Sequence, residues 1–244
     1  MRTLAVGDIH GGLKGLNQLI ERTNVSSDDA LIFLGDYVDG WSEAAQVIQR
    51  LIDLSKMNQC IFIKGNHDVW CEKWLATGHV NDIWFKNGGK ETIESYKDFS
   101  DEEKQMHLHF FEALKLYHID SKNRLFLHAG FTSMKGVEKE LNTENFYFDR
   151  TLWEMALTFD KNIKEDSLIY PNRLKKYSEI YIGHTPTTNF GEDKPMNCAN
   201  IWNVDTGATF KGKLSAIDID TKEIFQSNKV MDLYPDEIGR NKKK

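Results

Sequence analysis

Val6-Gly7-Asp8-Ile9-His10, Leu34-Gly35-Asp36-Tyr37-Val38-Asp39 and Lys64-Gly65-Asn66-His67-Asp68 repeat one pattern within the first third of the chain. Each is a short apolar run, then glycine, then a side chain able to ligate a metal. Glycine lets a backbone turn sharply and approach a ligand closely. The runs Leu4-Ala5-Val6, Leu31-Ile32-Phe33-Leu34 and Cys60-Ile61-Phe62-Ile63 read as strands, and the unbroken apolar ones as buried strands. Between them, Leu13, Leu16, Leu19 and Ile20, then Ala44, Val47, Ile48, Leu51 and Ile52, fall at helical spacing, with Ser42 as the expected N-cap of the second helix. Strands alternating with helices predict βαβ units and a largely parallel core sheet. Ligands of such sheets bind beyond the carboxyl ends of the strands. Asp8, His10, Asp36, Asn66 and His67 are therefore expected to converge.

Two later segments place a histidine at a strand end in the same way: Leu125-Phe126-Leu127-His128 and Ile180-Tyr181-Ile182-Gly183-His184. Further strands are expected over 124–127, 179–182 and 201–204, and a hairpin where 214–219 and 223–226 flank Asp220-Thr221-Lys222. Ser100-Asp101-Glu102-Glu103 matches a capping box. The fold class is α/β: a layered sandwich, parallel early, mixed or antiparallel late. Residues 1–244 are expected to form one domain, with a helical, lid-like insertion at about 69–120 and a polar tail at about 237–244.

Composition bounds the rest. The chain has 244 residues, 40% hydrophobic and 28% charged, an ordinary balance for one large domain. No apolar run approaches the roughly 20 residues of a membrane span. Met1 to Asp8 runs straight into a strand without a signal-peptide pattern, so a cytoplasmic location is the expectation. Cys60, Cys71 and Cys198 are odd in number and scattered, implying neither a disulfide framework nor a zinc finger. A net charge of −6 argues against nucleic acid as a partner.

Carboxylate, imidazole and amide oxygen together suit divalent manganese, iron or zinc. Asp36 is the central candidate for a carboxylate shared by two ions. A pair of cations about 3.5–4 Å apart clamps the attacking and leaving oxygens of an in-line displacement. Two such ions outweigh Asp8, Asp36 and a hydroxide, so the site stays locally positive and suits an anionic substrate. A single Asp-x-His at a strand end is usually incidental. Five such clusters in one chain are harder to read as structure, because burying unpaired polar groups is costly. His79, His107, His109 and His118 read as structural or solvent-facing, and Trp70, Trp74 and Trp84 as core rather than a substrate groove.

In combination and order, GDIHG, GDYVDG, GNHD, HAG and GHT resemble the metallo-dependent phosphoprotein phosphatases, with bacterial and phage Ser/Thr phosphatases and symmetrical diadenosine tetraphosphatases as the nearest look-alikes. Trp84-Phe85-Lys86-Asn87-Gly88-Gly89, with Thr92, Ser95 and Tyr96, is similar to a segment of bacterial members, and Asn203-Val204-Asp205-Thr206-Gly207-Ala208 to their late strand turn. The resemblance implies a calcineurin-like metallophosphoesterase sandwich of mixed β-sheets flanked by helices. It implies two divalent ions, Mn2+ first, with Fe or Zn as alternatives. Asp8, His10 and Asp36 would hold one; Asp36, Asn66, His128 and His184 the other. His67 would be the general acid and Asp39 its orienting carboxylate. The implied reaction is phosphate-ester hydrolysis by direct attack of a metal-bridging hydroxide. The substrate would be a phosphorylated protein or a small phosphoester, with Ser/Thr phosphoprotein first and a bis(5'-nucleosyl)-tetraphosphate or other nucleotide as the alternative. A non-catalytic binding module is the competing class.

The chain departs from the pattern twice. Gly40-Trp41 stands where the family has a phosphate-gripping arginine after Val38-Asp39, and Asp68 where many members have Glu. Arg150 is the candidate replacement for the phosphate contact, alongside Asn66, with Arg173 and Asn87 behind it.

Overall fold

A computed structural model describes residues 2–241. Its strands are β1 (Thr3–Val6), β2 (Ala30–Phe33), β3 (Gln59–Phe62), β4 (Tyr117–Ile119), β5 (Arg124–Leu127), β6 (Glu179–Ile182), β7 (Met196–Cys198), β8 (Ile201–Asn203), β9 (Lys213–Asp218) and β10 (Ile224–Lys229). The helices are α1 (Leu13–Thr23), α2 (Ala44–Met57), α3 (Asn66–Thr77), α4 (Asp82–Trp84), α5 (Lys90–Ser95), α6 (Asp101–Glu112), α7 (Asn145–Phe148), α8 (Thr151–Leu157), α9 (Asn172–Lys175) and α10 (Val230–Leu233). They build two five-stranded sheets, ordered β10-β9-β1-β2-β3 and β4-β5-β6-β8-β7.

Both sheets are mixed. β1, β2 and β3 run parallel, as the βαβ pattern predicts, and β9 and β10 add an antiparallel hairpin beside β1. In the second sheet β5, β6 and β8 are parallel, with β4 and β7 antiparallel at the edges. The expectation of a mixed late half holds; β4 and β7 went unread because Tyr117-His118-Ile119 and Met196-Asn197-Cys198 are short and form no apolar run.

Period-two alternation stacks the layers. In β1, Leu4 and Val6 face the helices α1 and α2, while Ala5 faces the other sheet. In β5, Leu125 and Leu127 face the α8 side and Phe126 turns inward; Tyr181 of β6 does the same and stacks on Phe126 at 4.9 Å. The result is a helix–sheet–sheet–helix sandwich whose parallel strands deliver their carboxyl ends to one edge.

Three local expectations are corrected. Ser42 does not cap α2; it donates to Glu237 Oε1 at 2.6 Å. β3 is an edge strand with Gln59 exposed and the rest half-buried, so its apolar run did not signal full burial. The polar tail expected at 237–244 is not a tail over 237–241, which packs on the body through Ser42, Trp41 and Thr209; Lys242-Lys243-Lys244 lie outside the described residues. The 69–120 segment is largely helical, and Ser100 forms the capping box with Glu103. Among the described residues no helix is long and apolar enough to cross a membrane.

Candidate metal centre and catalytic cleft

The carboxyl ends of β1, β2, β5 and β6, with the N-terminus of α3 after β3, bring Asp8, His10, Asp36, Asn66, His67, His128 and His184 together, all buried. Donor atoms of His10, Asp36 and His67 lie within 4.8 Å of one another, and so do those of Asp36, His128 and His184. Asp36 belongs to both groups, as the sequence led us to expect of a shared carboxylate. Asp8 joins the first group, with Oδ2 3.9 Å from His10 Nε2.

Spacing and orientation fit cations. Ligand atoms each 2.0–2.2 Å from an ion sit roughly 3–3.5 Å from one another. His128 Nε2 is 3.4 Å from Asp36 Oδ2 and 3.3 Å from Asn66 Oδ1, and His184 Nδ1 is 3.0 Å from Asn66 Oδ1. His10 Nδ1 donates to the Val38 and Asp39 carbonyls, and His128 Nδ1 to the Leu34 carbonyl. Those backbone bonds fix the tautomer and aim Nε2 into the cluster, as in metal-bound imidazoles. His184 Nε2 is buried with no hydrogen-bond partner.

The electrostatics point the same way. Burial, then the neighbouring Asp205 charge, raises the Asp8 carboxyl well above its ordinary range. Burial holds His10 and His184 well below theirs, in the neutral form a metal requires. Burial opposes a charged His128, yet the Asp36 carboxylate lifts it to about 10. Asp8, Asp36 and Asp205 thus form a buried acidic cluster that cations would neutralise.

The chain strains its backbone to make this cluster. His10 (φ 53°), Asp36 (54°), Asp39 (72°) and His184 (68°) are all left-handed, a conformation that costs a non-glycine residue on the order of 1 kcal/mol. Gly183 has another reason: a Cβ there would lie 2.1 Å from Asp8 Oδ1. Asp68, the other departure from the family pattern, has a structural role. Its carboxylate accepts from the backbone N–H of Gly65, Asp36 and Tyr37 at 2.8, 2.8 and 2.9 Å, tying the second motif to the third.

His67 is positioned separately. Its Nδ1 donates to Asp39 Oδ2 at 2.6 Å; Trp84 Nε1 donates to the same oxygen at 2.7 Å and Thr92 Oγ1 to Oδ1 at 2.6 Å. Trp84 is fully buried, as its reading as core required, but it also holds the Asp39 carboxylate.

A cleft of about 300 Å³ opens over the cluster, lined on its flanks by Trp70, Phe148, Phe210, Arg150, Asn87 and Arg240. Trp70 meets His67 edge-on at 5.1 Å and tilts against Phe148 at 6.1 Å. Trp70 packs on the core, as expected, and also walls the cleft; Trp74 stays packed on Trp84 and Tyr96. Arg150 reaches the cleft from an exposed position on the rim. Arg173 does not; it donates to the Phe131 carbonyl and Thr151 Oγ1. Sequence reasoning missed Asp205 and Arg240. The Asp-Thr-Gly turn was a signal for the first; nothing local marked the second.

The chain belongs to the calcineurin-like phosphoesterases: that family's model matches residues 1–210. Members carry a dinuclear divalent-metal centre, and the candidate ligand groups fit one. The chain is 27% identical to the asymmetrical bis(5'-nucleosyl)-tetraphosphatase PrpE of Oceanobacillus iheyensis, covering 91% of this chain and 90% of that one. It is 24% identical to the PrpE of Geobacillus thermodenitrificans over 87% and 88%. Among solved structures, a Ser/Thr phosphatase from Saccharomyces cerevisiae superposes with a TM-score of 0.60 at 17% identity, covering 93% and 79% of the two chains. A metallophosphoesterase from Sphaerobacter thermophilus gives 0.54 at 16%, covering 93% and 87%. These structural likenesses concern the fold.

Proposed function

We propose that this metallophosphoesterase hydrolyses dinucleoside polyphosphates, with Asp8, His10 and Asp36 holding one divalent cation and Asp36, Asn66, His128 and His184 a second. Mn2+ is the proposed ion, with Fe or Zn as alternatives. The observation that carries the substrate class is the joining, in one cleft, of this cluster to the aromatic wall of Trp70 and Phe148. Stacking a base on such a wall contributes about 1–3 kcal/mol. Relatives that span nine-tenths of the chain and are named as dinucleoside tetraphosphatases support the same reading. It reverses the order given by the sequence, where phosphoproteins came first.

Bound cations would supply Lewis acidity and a nucleophile from water. The chain's own residues do the rest. Asp39 accepts from Nδ1 and supports the imidazolium form of His67, whose Nε2 faces the cleft and in that form gives its proton to the departing phosphate oxygen. Trp84 and Thr92 keep Asp39 in place. Asn66 contributes an amide beside the phosphate position, and the aromatic wall positions the nucleoside.

The test is a substrate panel with added Mn2+: diadenosine tetraphosphate, a phosphoserine peptide and p-nitrophenyl phosphate, on wild type and Asp36→Asn. The reading expects kcat/KM for the dinucleotide to exceed that for the peptide by at least about tenfold, and Asp36→Asn to abolish all turnover. The reverse preference would restore the phosphoprotein reading. No turnover of any of the three, with Mn2+ or with Fe or Zn in its place, would favour a binding module.

A further inference from the structure

We propose that Arg240 grips the substrate phosphate, filling from the far end of the chain the place left open at Gly40. The inference rests on the phosphoesterase reading above and deepens it. Gly40 has φ 120°, and a Cβ built on it would touch the Arg240 side chain, with Cγ 3.6 Å away. A side chain at position 40 would therefore start out in contact with the one that position 240 supplies. Nothing larger than glycine fits there easily, because that Cβ would also lie 2.6 Å from Thr209 Oγ1.

Trp41, the second residue of the departure, fixes the donor segment. Its indole is fully buried, stacks on Tyr234 at 5.2 Å and donates to the Ala208 carbonyl. Gly239 lies against the far edge of the same ring, where a Cβ would come within 2.8 Å of Trp41 Cζ2. Glu237 accepts from Ser42 N and Oγ, Tyr234 Oη donates to Glu43, and Arg240 N donates to the Thr209 carbonyl at 3.1 Å. Gly40 makes room for the segment and residues 41–43 hold it down.

The guanidinium ends beside the proposed acid. Arg240 Nη1 donates to His67 Nε2 at 2.9 Å, Nη2 lies 3.5 Å from Asn87 Oδ1, and Cζ rests 5.5 Å above the Phe210 ring. Among the described residues it makes no ion pair, although it carries a planar fork of donors suited to two phosphate oxygens. In the substrate-free cleft it spends one donor on the lone pair of His67 Nε2; an entering phosphate would take that donor and free Nε2 to pick up from solvent the proton it passes to the departing oxygen. Arg150, exposed on the rim, is the rival.

The experiment measures inorganic phosphate binding by calorimetry on the Mn2+-loaded protein, with p-nitrophenyl phosphate kinetics alongside, for wild type, Arg240→Gln, Arg240→Lys and Arg150→Gln. Losing a charged hydrogen-bond donor should weaken phosphate binding and raise KM about 10- to 100-fold in Arg240→Gln. Arg240→Lys should recover part of the loss, with bound metal unchanged, and Arg150→Gln should change binding less than about threefold. Phosphate binding by Arg240→Gln equal to wild type, or a larger loss in Arg150→Gln, would overturn the proposal. Should Arg240→Gln melt far below wild type, the Lys variant decides, since a purely structural arginine would leave its phosphate affinity unchanged. Wild-type turnover tests the enzymatic reading separately, because the binding ratios hold whether or not turnover is seen.

Discussion

His67 Nδ1 lies 2.6 Å from Asp39 Oδ2, and that carboxylate is held in turn by Trp84 Nε1 and Thr92 Oγ1. A carboxylate so fixed sets the imidazole's tautomer and orientation. A proton donor matters most when the leaving group is poor. His67→Asn should therefore lower kcat about 10²- to 10³-fold on phenyl phosphate but much less on p-nitrophenyl phosphate or on diadenosine tetraphosphate, whose leaving group is itself a phosphate. Asp39→Asn should move in the same direction by a smaller factor. Equal losses on good and poor leaving groups would remove His67 from the acid role.

Gly183 stands against Asp8 because a Cβ would fall 2.1 Å from its carboxylate oxygen. Gly183→Ala should push Asp8 off its position and cost metal rather than fold. Inductively coupled plasma analysis should find close to one tightly held cation where wild type holds two. Full occupancy with unchanged affinity would mean that Asp8 does not need its present place.

Trp70 and Phe148 form the wall proposed for a nucleobase. Trp70→Ala should raise KM for diadenosine tetraphosphate by about 5- to 100-fold, the range of one base-stacking contact, and leave KM for p-nitrophenyl phosphate within about twofold. A parallel loss on both substrates would place Trp70 among the supports of His67 instead.

His107 is buried on α6 between Tyr96 Oη at 3.0 Å and Gln49 Oε1 at 3.3 Å, and burial lowers it to about 4. The folded form keeps it neutral while the unfolded chain protonates near 6.5. Below pH 6.5 the unfolded state binds the extra proton, so stability falls with pH down to about 4 and is at its full value above 6.5. The total is of order 2 kcal/mol. Urea midpoints between pH 7.5 and 4.5 should fall more steeply for wild type than for His107→Gln. Identical slopes would show that the site does not couple folding to protonation.

Much of the site was legible because its chemistry sits at strand ends next to glycine or a strong apolar run. Asp8, His10, Asp36, Asn66, His67, His128 and His184 all come together where the strand pattern placed them. What could not be read depends on long-range packing. Ser42 has the residue type of an N-cap but is drawn to Glu237, and Cys60 to Phe62 form an apolar run that ends on a sheet edge. Trp70 and Trp84 look alike in sequence, yet one walls the cleft and the other supports Asp39 from the core. Arg240 was hidden most completely. It stands among polar terminal residues with no local periodicity, and only the packing of Gly239 on Trp41 and its own contact with Gly40 give it a place.

The central claim is a pair of cations sharing Asp36, and anomalous diffraction from crystals soaked in Mn2+ tests it most directly. The account predicts two peaks about 3.5–4 Å apart on either side of the Asp36 carboxylate, one beside Asp8 and His10 and the other beside Asn66, His128 and His184. A single peak, or two peaks neither of which touches Asp36, would contradict it.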